Sequence, residues 1–294
     1  MNPIPLVCAL LIAVATACRS SDKAALDPDI AAEGGYEVKP GTRIFMIGSA
    51  PVEAADRTDN EVPHEPFHEL VAAGRWRHLE KKSRSVLSTK PGDRDAMLHL
   101  ATALMMQQRY DLAGFYAKRA LRSVSKGNKG SKDAETSDLQ NLRAVALMSS
   151  LVPTPENRRL AVALLSECFN GPSASFACGL NLGALQLEGG RAADASKVFL
   201  KLSKQCNGCA AAQEGIASCY IRVGQYGKAA PILKELVAMH PERGDLTLAL
   251  AGILKDGLHQ PGDAKDYVKA ALATLPLEDK NLRPVAEQML LELE

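Results

Sequence analysis

GGRAADASKVFLKL (189–202) and VGQYGKAAPILKEL (223–236) are the two stretches that decide the fold. Aligned, they place Gly190 on Gly224 and Ala195 on Ala229, each pair 34 residues apart. Followed in both directions, the same slot falls on Leu79, Ala113, Ala161, Ala195, Ala229 and Ala264, with spacings of 34, 48, 34, 34 and 35. A recurrence of that length marks stacked repeats, units that cannot bury their apolar face except against a neighbour. A bundle in which alanine is merely common would not hold one period across these intervals.

Each unit reads as two short amphipathic helices joined by a turn. In AAAQEGIASCYIR (210–222), Ile216, Ala217, Tyr220 and Ile221 share one face at helical spacing. Val223-Gly224-Gln225 forms the turn, because glycine accepts the left-handed conformation that ends a helix. The next helix, 226–239, carries Ala229, Ala230, Leu233, Leu236 and Val237 inward, and His240-Pro241 stops it. Alanine in the middle of the second helix lets the two helices approach closely and favours helix itself.

These residues resemble the tetratricopeptide repeat, a family of 34-residue helix–turn–helix units. Leu182-Gly183, Gly190, Ala195 and Phe199 match its motif in the fourth unit; Ile216-Ala217, Tyr220, Gly224, Tyr226, Ala229 and Pro241 match it in the fifth. Leu100-Ala101, Leu104, Tyr110, Ala113 and Ala120 do so in the second. The first unit keeps GRW (74–76) and Pro91, with Leu79 in the alanine slot. The third departs most, with Pro153 and Pro155 crowding its turn and SKGNKGSKDAETSD (125–138) inserted before it, its SKGNKGSKD stretch (125–133) reading as a solvated loop. The sixth keeps Ala264, Ala271 and Pro276 and is expected to carry one extra residue in its HQPGD turn (259–263). The expected fold is therefore all-α: a superhelical solenoid of about six such repeats over 67–276, closed by a capping helix at 277–294.

The resemblance implies a protein-binding scaffold whose first helices line a concave groove. By helical phase, Thr102, Met105, Met106, Glu214, Arg222 and Lys255 are expected to line it. A net charge of +1 and 4% aromatic residues give no sign of a nucleic-acid partner.

The first 17 residues, MNPIPLVCALLIAVATA, read as a signal peptide, too short to span a membrane. Cys18 directly after Ala15-Thr16-Ala17 resembles the lipobox of bacterial lipoproteins, although no Lys or Arg precedes the apolar run. That resemblance implies acylation of Cys18, palmitate included, and Arg19 at the next position favours an outer-membrane lipoprotein facing the periplasm. Several acyl chains on one residue anchor stably where a single chain does not. Residues 18–66 read as a flexible linker containing one β-prone island, TRIFMIG (42–48), expected to dock on the first repeat, with addition to a partner's sheet edge as the alternative.

Five cysteines then remain: Cys168, Cys178, Cys206, Cys209 and Cys219. An oxidising periplasm permits bridges among them. Cys168 with Cys178 and Cys206 with Cys209 is one connectivity; Cys178 with Cys206 or Cys209 competes, and sequence does not choose. A redox role for the CNGC pair is disfavoured because Cys206 closes a helix, and Cys219 reads as a small buried residue.

His64-Glu65-Pro66-Phe67-His68 spells the H-E-x-x-H zinc-protease pattern. That chemistry needs both histidines one turn apart on a helix, and Pro66 is tolerated only in a first turn. No catalytic residue, metal or cofactor is assigned. The leading function is a non-enzymatic scaffold for a cell-envelope machine such as a pilus, gliding-motility or secretion apparatus. A subunit recruiting peptidoglycan enzymes is the alternative, with a zinc metallopeptidase the remote third.

Overall fold

A computed structural model of the chain describes residues 64–123, 129–149, 154–172 and 174–294, with side chains in the helix beginning at Lys129 described from residue 135 onward. The expectations for residues 1–17, Cys18, the linker through residue 63 with its TRIFMIG island, and Pro153 lie outside the described residues.

Among the described residues the regular structure is entirely helical, in six successive hairpins and one last helix. The hairpins are α1 (Phe67–Ala72) with α2 (Trp76–Thr89), α3 (Arg94–Met106) with α4 (Tyr110–Arg122), and α5 (Lys129–Ser149) with α6 (Pro155–Asn170). They continue as α7 (Phe176–Glu188) with α8 (Ala192–Gln205), and α9 (Ala210–Arg222) with α10 (Tyr226–Met239). The sixth pairs α11 (Gly244–Gly252), prolonged by a π turn over Ile253–Gly257, with α12 (Pro261–Thr274); α13 (Leu282–Glu292) follows. This succession of packed helix pairs is that of a helical-repeat solenoid. No described helix is long and apolar enough to cross a membrane.

Contacts divide the described residues into two units, 64–182 and 183–294, with the boundary inside α7. In the first, Met97, Leu100 and Leu104 of α3 meet Ala113, Ala117 and Ala120 of α4 and Leu139, Leu142 and Val145 of α5. Asn181 donates from its amide to the Asn141 side-chain oxygen at 2.8 Å, a buried pair linking α7 to α5. In the second, Leu233 and Leu236 of α10 pack with Leu246, Leu250, Ile253 and Leu254. Ala286 and Met289 of α13 cover Val268, Ala271 and Leu275.

The small slot read from the sequence is the point of closest burial. Leu79, Ala113, Ala161, Ala195, Ala229 and Ala264 all have 0% exposure. Five residues before the slot, the chain turns left-handed: Gly74 (φ 67°), Gln108 (60°), Gly190 (76°), Gly224 (72°) and His259 (55°). The next backbone N–H then reaches back to the preceding helix, as in Arg109 to the Leu104 carbonyl and Gln225 to the Tyr220 carbonyl, both 2.9 Å. This is the Schellman closure of a helix end. In the third hairpin, Thr154 Oγ1 accepts from the Asn157 N–H at 3.1 Å, and Pro155 opens α6 in the position where its missing N–H costs nothing.

Two expectations are corrected. The SKGNKGSKD stretch (125–133) is not a solvated loop from residue 129 onward, because residues 129–133 begin the 21-residue α5. The extra residue of the sixth unit is not in the 259–263 turn. It is taken up upstream as the π turn, where the Gln260 N–H reaches Leu254 O, six residues back instead of five. That insertion inside the helix keeps His259 in register with the other left-handed residues.

Candidate protein-interaction surface

The two helices of a hairpin differ in what they leave to solvent. After α1, where only Leu70 is buried, the first helices are the more enclosed: α11 is buried at eight of its nine positions and α9 at seven of thirteen. Second helices bury a single stripe, three of thirteen positions in α4. Outward-facing chemistry therefore resides largely on the second helices.

This overturns part of the expected groove. Thr102 is 3% exposed and Met105 6%, Met105 lying in the core cluster of the first unit and Met106 packed against it. Glu214 has 0% exposure. Helical phase put these residues on one face, but that face is covered by packed neighbours. Arg222 is exposed at the end of α9. Lys255, on the π turn, pairs with Glu292 of α13 and lies 3.8 Å from Asp256, which ties the last helix to the sixth hairpin.

Glu214 belongs to an ion cluster. Arg243 Nη1 and Nη2 donate to its Oε1 and Oε2 at 3.0 and 3.3 Å. The same guanidinium donates from Nε and Nη2 to Asp245 Oδ1 and Oδ2 at 2.9 and 2.6 Å. Burial pushes the Glu214 carboxyl up, opposed by the charge and hydrogen bonds of Arg243. Burial works against the Arg243 charge, yet Asp245 and Glu214 together hold its guanidinium above its ordinary range. One fork gripping two carboxylates fixes α9 against the start of α11. In the first unit, burial and the nearby Glu135 charge push the Asp138 carboxyl up to about 6.

Besides Leu160 on α6, the exposed large apolar side chains described in the first unit are on α4. Leu112 is 41% and Phe115 56% exposed, on the side opposite Ala113, Ala117 and Ala120. Lys118, Arg119 and Arg122 share that outer side. Arg119 also donates from Nη2 to the Pro91 carbonyl at 2.9 Å, which orients it. Burial and then the like charge of Arg122 lower the pKa of Arg143 on α5, so positive charges crowd at this end of the helix. Groove reasoning missed the patch because it weighed only first helices; the period-3.6 pattern of α4 carried the signal.

The H-E-x-x-H residues do not form a helical ligand pair. Helix α1 begins at Phe67, leaving His64 and Glu65 ahead of it. Glu65 pairs with Arg75, Lys82 donates to the Glu65 and His64 carbonyls, and the Phe67 ring stacks on His99 at 4.4 Å. The segment seats the chain on the first two hairpins. Cys168 bridges to Cys178 and Cys206 to Cys209, rather than Cys178 to either of the latter, and Cys219 is free and buried.

No family model matches the chain, and no curated protein matches it. Among solved structures, it is similar to a tetratricopeptide repeat protein from Parabacteroides merdae ATCC 43184. That crystal structure, at 2.39 Å resolution, shares 14% identity and covers 77% of this chain and 95% of its own, with a TM-score of 0.52. The chain thus has a tetratricopeptide-type repeat fold.

Proposed function

We propose that the chain is a non-enzymatic scaffold, anchored at the outer membrane through an acylated Cys18 and facing the periplasm. There it holds a protein component of an envelope machine such as a pilus, gliding-motility or secretion apparatus. The repeat fold supports the scaffold reading, and the Cys18 context in the sequence supports the anchor.

The observation that carries the reading is the α4 outer side, where Leu112 and Phe115 stand exposed among Lys118, Arg119 and Arg122. Two apolar anchors inside a basic collar fit an amphipathic segment with acidic residues beside its apolar ones.

The full-length chain, solubilised with its anchor from the envelope fraction, is cross-linked and purified in wild-type and Phe115→Ala forms. Recovery of an export or motility component with wild type, reduced at least tenfold in the variant, is expected. Recovery of cell-wall hydrolases alone would overturn the machine assignment in favour of peptidoglycan-enzyme recruitment. Cys18→Ala is expected to release the chain from membranes, and persistent attachment would contradict lipidation.

A further inference from the structure

The two disulfides differ in setting. Cys168 and Cys178 are 1% and 0% exposed, at the junction of α6 and α7, with the Ser137 carbonyl 3.4 and 3.8 Å from their sulfurs. Cys206 and Cys209 are half-buried at the junction of α8 and α9, beside the exposed Asn207. The first pair closes a sequence separation of 10 and the second of 3. A cross-link over a shorter loop removes less entropy from the opened chain, so opening it releases less constraint. Access also governs exchange, since a thiolate must reach the sulfur it attacks.

The junction supplies a place for the charge that such an attack creates. Cys209 is the N-cap residue of the 13-residue α9, and its N–H donates to Cys206 Sγ at 3.2 Å. The Ser203 carbonyl, which would disfavour charge on the same sulfur, is farther away at 3.9 Å. The left-handed Asn207 (φ 50°) and Gly208 (φ 81°) bend the chain so that this amide faces the sulfur. Its place at the end of a helix disfavoured a redox role for Cys206 in the sequence; the fold also puts it within reach of the N–H at the head of the next.

We infer that Cys206–Cys209 is a thiol–disulfide exchange site that accepts two electrons from a dithiol. A thiolate of the dithiol attacks Cys209 Sγ, forming a mixed disulfide while the Cys206–Cys209 bond breaks. The bonding pair leaves on Cys206 Sγ, where the Cys209 N–H receives it. The second thiol of the dithiol, having lost its proton, attacks its own sulfur in the mixed disulfide and releases Cys209 as thiolate. Both cysteines take up protons. The dithiol ends as a disulfide and the pair as two thiols. Cys168–Cys178 is closed to this reaction by burial, and Cys219 is shielded with its thiol pushed up to about 12.

The test titrates the folded full-length chain with dithiothreitol at pH 8, quenches with N-ethylmaleimide and maps labelled cysteines by peptide mass spectrometry. Cys206 and Cys209 are expected to label at a dithiothreitol concentration at least tenfold below that for Cys168 and Cys178, with the helical circular dichroism unchanged. Both pairs opening together, or opening only as helix is lost, would overturn the inference. A second measurement isolates the leaving sulfur. In Cys209→Ser, which keeps the backbone N–H, the pH profile of Cys206 alkylation should have its midpoint below the ordinary thiol value of about 8.5. A midpoint at or above that value would overturn the assignment of Cys206.

Discussion

Changing Gly215 to alanine tests the stacking of the fourth hairpin on the fifth. A Cβ at Gly215 would lie 2.3 Å from Phe199 Cδ1 and 2.4 Å from Cε1. The ring cannot retreat, because a Cβ at Gly183 on α7 would already lie 2.5 Å from its Cζ, so ring and backbone touch there too. Phe199 is 2% exposed and fills the space between the two glycines. In an open helix, glycine to alanine gains about 1 kcal/mol. Overpacking a closed core costs about 1–3 kcal/mol, and a pinned aromatic ring belongs at the upper end. The net expectation for Gly215→Ala is a loss of about 2 kcal/mol, the difference between those effects. Gly227 on α10 is the control: a Cβ there meets nothing within 4 Å, so Gly227→Ala should gain up to about 1 kcal/mol. Urea unfolding followed by circular dichroism, with amide exchange in α9 as a local probe, measures both. Adding Phe199→Leu to Gly215→Ala should recover part of the loss. A Gly215→Ala chain as stable as wild type would refute the packing of α8 between α7 and α9.

Arg243→Met leaves the fully buried Glu214 facing Asp245 without the guanidinium, and should cost about 3–5 kcal/mol in urea unfolding. Adding Glu214→Gln should restore part of that stability. For Asp138, the folded carboxyl titrates near 6 and the unfolded one near 3.8, so between those values the folded chain keeps a proton that the unfolded chain releases. Its contribution is most favourable below about pH 4 and declines as pH rises through 6, by on the order of 2 kcal/mol after allowing for the solvent that reaches it. Asp138→Asn should flatten that part of the stability profile, measured by thermal unfolding between pH 4 and 7. His259→Gly relieves a non-glycine left-handed residue in the sixth turn and should be neutral or stabilising by up to about 1 kcal/mol. A loss there would show that His259 holds the turn through its side chain.

The repeat was legible because its two markers leave direct chemical traces. Close helix approach demands a small residue, so alanine recurs; a helix end turning left-handed favours glycine, so Gly190 and Gly224 recur with it. The turn was hidden where Gln108 and His259 occupy the same conformation, since neither residue type announces it. The extra residue of the sixth unit was legible as a count but not as a place, because a helix can absorb it as a π turn. Groove residues were misplaced for a related reason: phase assigns a face, whereas burial depends on what packs against that face. Thr102, Met105 and Glu214 share a covered one. Arg243 was overlooked because it meets Glu214 across 29 residues, beyond any local pattern. Leu112 and Phe115 were readable as outward from Ala113, Ala117 and Ala120, and needed only the second helices to be weighed.

A photoreactive phenylalanine analogue at position 115, compared in living cells with one at the 81% exposed Leu277, tests the scaffold claim most directly. The account predicts a discrete adduct with one envelope protein at 115, lost when Arg119 and Arg122 are changed to glutamate, and little at 277. Equal yields at both positions, or an adduct at 115 indifferent to those charges, would contradict it.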